Sequence, residues 1–150
     1  MSFFGVHQHA IDAKGRTSLP SRFREVLSAQ GADKLFITPD LLDDCLQAYA
    51  PAQWMAFTEK VARLPQFDPT VRHIVRSFIA PAQECPVDKV GRLLLPEAMR
   101  LHAGLTAEVT WAGSVEKIEI WSPDRWARVQ KAARAPEVQE KLAARLATLL

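Results

Sequence analysis

Apolar residues recur along this chain with two periods, near two and near 3.6, and prolines mark most of the changes between them. The short-period stretches come as a pattern used twice. Val6–Ile11 reads as a strand entering a turn and Arg16–Leu19 as a strand leaving it; Glu84–Val87 and Arg92–Leu95 repeat the arrangement. Pro20 and Pro96 then open short helices, because proline suits a first turn that needs no N–H. Two further strands follow in each half. In the second half they are AEVTW and EKIEIW, where Ile118 and Ile120 point one way and Lys117 and Glu119 the other. The segment Ala112-Gly113-Ser114 is expected to join them. In the first half KLFIT and CLQAY take these places across a longer acidic connection, Pro39–Asp44.

The long-period stretches close each half. From Pro51, Trp54, Phe57, Val61 and Leu64 fall at helical spacing. Asp68 and Pro69 form a cap and first turn, and Val71, Ile74, Val75, Phe78 and Ile79 then make an apolar stripe. Trp126, Val129 and Ala133 follow Ser122-Pro123 in the same way. A tail from Pro136 sets Val138, Leu142, Leu146 and Leu149 on one face. The tryptophans and the stripes are expected to pack in the core or between helices.

The two halves are an internal repeat. At an offset of 76 residues, Asp12, Gly15, Arg16, Leu19, Pro20 and Arg24 match Asp88, Gly91, Arg92, Leu95, Pro96 and Arg100. At an offset of 72, Tyr49-x-Pro51-x-x-Trp54 matches Trp121-x-Pro123-x-x-Trp126. A unit of about 45 residues cannot easily enclose its own core, so the two units are expected to pack as a pseudo-dimer within one chain. The fold class is α+β, an intertwined β structure with flanking helices. Residues 5–53 and 81–126 are the repeats, 54–80 a helical linker and 127–150 a helical tail.

Composition narrows the functions. The net charge of +2 argues against a general polycation, so any anion-binding face is a local cluster. Such clusters exist: Lys14, Arg16, Arg22 and Arg24 surround Asp12, and Lys89, Arg92 and Arg100 accompany Asp88 and Glu97. Lys60, Arg63, Arg72 and Arg76 read instead as a solvated helix face. Cys45 and Cys85 read as small buried hydrophobes. No apolar run is long enough to span a membrane, and the first residues lack a secretory pattern, so a cytoplasmic protein is expected. His7 and His9 alternate on one strand face near Asp12, but spacing supplies no third metal ligand. No nucleophile elbow, phosphate loop or paired-carboxylate arrangement appears, so neither an enzyme nor a cofactor is expected.

Asp-x-x-Gly is a type I turn signature, with the carboxylate accepting backbone N–H groups and glycine in the left-handed conformation. That explains Asp12 with Gly15 and Asp88 with Gly91, but not the arginine that follows each. Arg16 and Arg92 could staple the turn to its aspartate, or face a phosphate or a guanine edge. Both are possible at once, since a guanidinium has five donors. A scaffold in which the pair is purely structural is the rival to a nucleic-acid binder.

The segments IDAKGRTSLPSRFRE and VDKVGRLLLPEAMRLHAGL, with the ordered aromatic-proline-tryptophan landmarks, resemble the MraZ family of bacterial transcriptional regulators over roughly residues 5–130. The resemblance implies two AbrB-like (SpoVT-AbrB) units, a swapped-hairpin β-barrel and a ring-shaped homo-oligomer. It also implies a nucleoid-associated regulator, expected to repress. Its target would be double-stranded DNA at short direct repeats in the promoter of its own operon, the division and cell-wall cluster. In that family the D-x-x-x-R motif carries DNA binding, which places the role on Asp12 and Arg16 and on Asp88 and Arg92. Lys14, Arg22, Arg24, Lys89 and Arg100 are the accompanying candidates. Lys14 has Val90 as its counterpart, so the first copy is expected to do more of the work.

Overall fold

A computed structural model describes residues 2–150. The first repeat forms β1 (Val6–Ala10), β2 (Arg16–Ser18), α1 (Ser21–Ala29), β3 (Lys34–Pro39) and β4 (Leu46–Tyr49). Two helices follow, α2 (Pro51–Ala62) and α3 (Pro69–Ile74), and α3 runs on into a π-helical turn, Val75–Ile79. The second repeat forms β5 (Gln83–Pro86), β6 (Arg92–Leu94), α4 (Glu97–Ala103), β7 (Glu108–Ser114) and β8 (Lys117–Trp121). The chain ends in α5 (Pro123–Ala132) and α6 (Pro136–Ala147). Caps fix the helix starts. Asp68 accepts the Thr70 N–H at 2.8 Å and Ser122 accepts the Arg125 N–H at 3.2 Å, and proline opens both helices. Pro20 and Pro96 sit one residue earlier than expected, as the caps of α1 and α4.

Six strands form one antiparallel sheet in the order β1-β7-β8-β4-β3-β5. The order reads the same from either end when the repeats are exchanged. The first strand of each repeat pairs with the third strand of the other: β1 with β7, and β5 with β3. The fourth strands meet in the middle, with Leu46 opposite Ile120 and Ala48 opposite Ile118. The second strands leave this sheet and pair only with each other, as a ribbon with Arg16 opposite Leu94 and Ser18 opposite Arg92. Neither repeat completes its sheet alone, because the outer ladder at each wing is formed between the repeats.

The sheet is therefore not the closed barrel that the resemblance implies. The edges β1 and β5 do not pair, and β2 forms no ladder with β1, only an isolated bridge from Thr17 to Ile11 just past β1. Three-residue strands just past a tight turn are too short to carry a ladder on both sides. A second expectation also shifts. Ala112, Gly113 and Ser114 belong to β7, and the reversal falls one step later, at Val115, with φ +66°, and Glu116.

One core serves both repeats. Leu35, Ile37 and Leu46 from the first pack with Val109, Trp111, Ile118 and Ile120 from the second, under Phe23 and Leu27 of α1 and Met99 of α4. These aliphatic side chains are fully buried or nearly so, each worth about 1.5–3 kcal/mol of transfer free energy. A second, aromatic cluster docks the linker helices on the first repeat. Trp54 stacks on Phe36 with centroids 5.7 Å apart, and Tyr49, Phe57 and Phe78 close around it. Val71 and Phe78 are buried as the stripe expects. The tail behaves differently. No residue of α5 or α6 is fully buried, Trp126 is half-buried against Trp121, and Leu142, Leu146 and Leu149 face outward. Cys45 and Cys85 are buried free thiols, and burial pushes Cys85 up to about 11. Among the described residues no helix is long and apolar enough to cross a membrane.

Gly113 is where β7 lets the N-terminal segment lie across it. A Cβ there would fall 2.4 Å from the Phe4 backbone, and the Gly113 N–H donates to the Gly5 carbonyl at 2.9 Å. Gly113→Ala is expected to cost about 1–3 kcal/mol, the usual range for overpacking, because backbone must move. Urea denaturation of the two proteins side by side measures it.

Candidate nucleic-acid interface

The two Asp-x-x-Gly turns are the same object built twice. In the first, Asp12 Oδ1 accepts the N–H groups of Lys14 and Arg16, each at 2.9 Å, and the Gly15 N–H donates to the Asp12 carbonyl at 3.0 Å. In the second, Asp88 Oδ1 accepts the N–H groups of Val90 at 3.0 Å and Arg92 at 2.9 Å, and the Gly91 N–H donates to the Asp88 carbonyl at 3.0 Å. The glycines take φ of +91° and +87°, a conformation that an L side chain rarely adopts. Each arginine then turns back on its aspartate: Arg16 Nε lies 3.0 Å from Asp12 Oδ2 and Arg92 Nε 3.5 Å from Asp88 Oδ2.

Only one edge of each guanidinium is used by that contact. The Arg16 and Arg92 side chains keep 42% and 46% of their surface exposed, so their outer donors are free to meet a ligand. The carboxylate thus serves as a bracket. It fixes the turn through two backbone N–H groups and aims the arginine through its second oxygen.

The ribbon brings the two brackets together. Arg16, Ser18, Arg92 and Leu94 are exposed on one face, while Thr17 and Leu93 are buried on the other. Arg16 and Arg92 are diagonal neighbours across the antiparallel pair, a Cα separation of roughly 7–8 Å. Lys14 and Lys89 are exposed at the two turn tips. Arg22 is exposed on α1, with its guanidinium carbon 5.7 Å from the Phe4 ring centroid. Arg24 and Arg100 are placed differently. Each is half-buried and lies against the turn glycine of the opposite repeat, Arg24 on Gly91 and Arg100 on Gly15. Sequence reasoning grouped them with the exposed arginines; their equivalence at the 76-residue offset was the one available signal that they share a distinct place.

The matching of the two halves extends to known proteins. The family model described as "MraZ protein, putative antitoxin-like" matches twice, over residues 2–77 and 78–148. The chain belongs to the MraZ family. Its MraZ relatives include the "Transcriptional regulator MraZ" of Photorhabdus laumondii, 37% identical over 149 residues that cover 98% of each chain. The protein of that name from Heliobacterium modesticaldum is 41% identical, covering 93% of this chain and 96% of the relative. That from Lachnoclostridium phytofermentans is 42% identical, covering 83% of this chain and 84% of the relative.

Two other sequence candidates in this MraZ chain resolve into packing. His7 meets Phe23 edge-on with centroids 5.3 Å apart, and His9 donates from Nδ1 to the Ser18 carbonyl. His9 thereby ties β1 to the end of the ribbon.

The brackets also set a pH dependence. The Arg16 N–H is the chief cause that holds the Asp12 carboxyl below its ordinary value of 3.8; desolvation opposes it, and the Arg16 side chain and the Lys14 N–H lower it further. Asp88 is lowered in the same way, chiefly by the Arg92 N–H. A carboxyl lowered in the folded state adds stability that is complete above its unfolded value and is lost as pH falls through the folded one. Acidification below about pH 4 should therefore cost the native protein stability that an Asp12→Asn, Asp88→Asn double variant does not lose. Urea midpoints at about pH 6 and pH 3 for both proteins test this.

Proposed function

We propose that this chain is a DNA-binding transcriptional regulator whose ribbon face, β2 with β6, meets double-stranded DNA. The observation that carries the reading is the pair of aspartate-bracketed arginines exposed on one face of that ribbon. Their diagonal spacing of roughly 7–8 Å is about two base-pair steps, so both can engage one short stretch of duplex. Lys14, Lys89 and Arg22 add phosphate contacts, which give affinity and register. An arginine on guanine O6 and N7 gives base choice. The relatives' name as transcriptional regulators supports the same reading.

A handful of charges binds weakly at cellular salt. A ring of identical chains meeting repeated sites would convert weak contacts into avidity, with operator repeats in direct rather than inverted order. The target is short direct repeats in the promoter of the chain's own operon, within the division and cell-wall cluster, and occupancy there represses. The protein then resides in the cytoplasm with the nucleoid. A mobility-shift titration with the DNA upstream of its start codon tests this. Binding tighter to that fragment than to a shuffled one, with affinity falling steeply with salt, is expected. Equal binding to both, or none, rejects the reading.

A further inference from the structure

We propose that Arg24 and Arg100 are positioning residues, each holding in place the arginine-bearing turn of the opposite repeat. This rests on the reading that those turns face DNA. It goes beyond that reading in removing two of the candidate arginines from the contact surface and giving them a different job.

The packing is reciprocal. A Cβ on Gly15 would lie 2.7 Å from Arg100 Nε and 2.8 Å from its guanidinium carbon, so Arg100 lies flat on the glycine backbone. A Cβ on Gly91 would lie 3.0 Å from Arg24 Nη1. Glycine is required at each turn for its positive φ, and the bare glycine backbone is the surface on which the opposite repeat's guanidinium rests. The backbone crosses over as well. The Leu95 N–H donates to the Gly15 carbonyl at 2.9 Å and the Leu19 N–H to the Gly91 carbonyl at 2.8 Å. Each turn glycine is therefore held from two sides by the other repeat. Gly15 and Gly91 immediately precede Arg16 and Arg92, so whatever fixes the glycine fixes where the bracketed arginine points.

The two clamps differ in one respect. Arg24 donates from Nη2 to the Lys89 carbonyl at the tip of the second turn. The counterpart of Lys89 in the first turn is Ala13. Arg100 donates from Nε to Leu95, in its own repeat, at 2.9 Å. Both turns are tied at their glycines by a backbone bond from the other repeat, and the second is tied at its tip as well. The first turn, which carries Lys14, keeps more freedom to adjust to a ligand.

Hydrogen exchange read by mass spectrometry, with DNA binding measured in parallel, tests the assignment. In Arg24→Ala, exchange should rise roughly tenfold across the turn residues 87–91 and stay unchanged across the turn residues 11–15, as expected when one charged hydrogen bond to a local unit is lost. In Arg100→Ala the first turn should loosen instead, and by less. Affinity of Arg24→Ala for the upstream duplex should fall roughly tenfold with the salt slope unchanged, because a positioning residue releases no counterions. A slope lowered by about one would make Arg24 a phosphate contact and overturn the proposal. So would loosening of the turn in the variant's own repeat, or no loosening at all. If Arg24→Ala does not fold, Arg24→Lys keeps the charge and loses the planar fork, and the exchange pattern decides: loosening of residues 87–91 supports the assignment and none overturns it. Should Arg16→Ala bind DNA as the parent does, the DNA reading fails, and the exchange data still decide whether the arginines hold the turns.

Discussion

Trp111→Ala is expected to lower the stability of this protein by about 3–5 kcal/mol, the range for removing a large aromatic from a core. Trp111 is fully buried on β7, opposite His7 of β1 and Ile120 of β8. It belongs to the cluster in which both repeats meet, so the cavity would open at the seam that makes the two halves one unit. Domains of this kind have a total of roughly 5–15 kcal/mol, and the loss would consume a large part of it. Its indole N–H has no partner in the structure, which carries a desolvation cost of its own. Trp111→Phe removes that N–H along with some volume, and should therefore cost clearly less than Trp111→Ala. Chemical denaturation of the three proteins orders them. Equal losses for the two variants would show that the N–H has a partner or that the site collapses freely.

The interlocking of the halves was legible because the sequence writes it twice. A unit that ends with an unpaired first strand and an unfilled apolar face needs a second copy, and the strand exchange between β1–β7 and β5–β3 meets that need. The helix starts were legible too, since Asp68 and Ser122 are side-chain caps with proline behind them. Other features answer to tertiary contacts that no short window contains. Gly113 looked like a turn residue; it is a strand residue made small by the backbone of Phe4. Val115, a poor residue for positive φ, takes the turn because β7 and β8 are fixed by their partners on either side. Barrel closure depends on where β2 and β6 pair, and they pair with each other rather than with the edges of the large sheet, which periodicity does not show. Of the tail stripe, Val138, Leu142 and Leu146 lie on α6 and Leu149 falls past its end, and a stripe does not say what it packs on. At the candidate site, motif and repeat alone pointed to Asp12, Arg16, Asp88 and Arg92, which the structure joins in two like turns. Arg24 and Arg100 were legible as charges but not in their packing, because the glycines they lie on, Gly91 and Gly15, are more than sixty residues away.

The double variant Arg16→Ala, Arg92→Ala should bind the upstream duplex at least about a hundredfold more weakly than the parent, each base-reading arginine counting for roughly tenfold or more. The two are not interchangeable. Arg16 shares its turn with Lys14, whereas the equivalent position in the second turn is Val90, which is exposed and uncharged. The Arg16 variant should therefore lose more than the Arg92 variant. Lys14→Ala should separate the two contributions: it should lower the salt slope by about one and weaken binding to all sequences alike. A base-reading arginine, once removed, relaxes the preference among sequences as well. If the chain acts as a ring, every engaged subunit repeats the same deficit, and avidity amplifies it. Stability offers the control. Arg16 and Arg92 are surface ion-pair members, so their loss should change the urea midpoint little, since such pairs are worth about 0–1 kcal/mol. A variant that folds as well as the parent and no longer selects its own promoter would place DNA recognition on the ribbon. One that folds equally well and still selects it would leave the aspartate-arginine bracket as a device for shaping the turn alone.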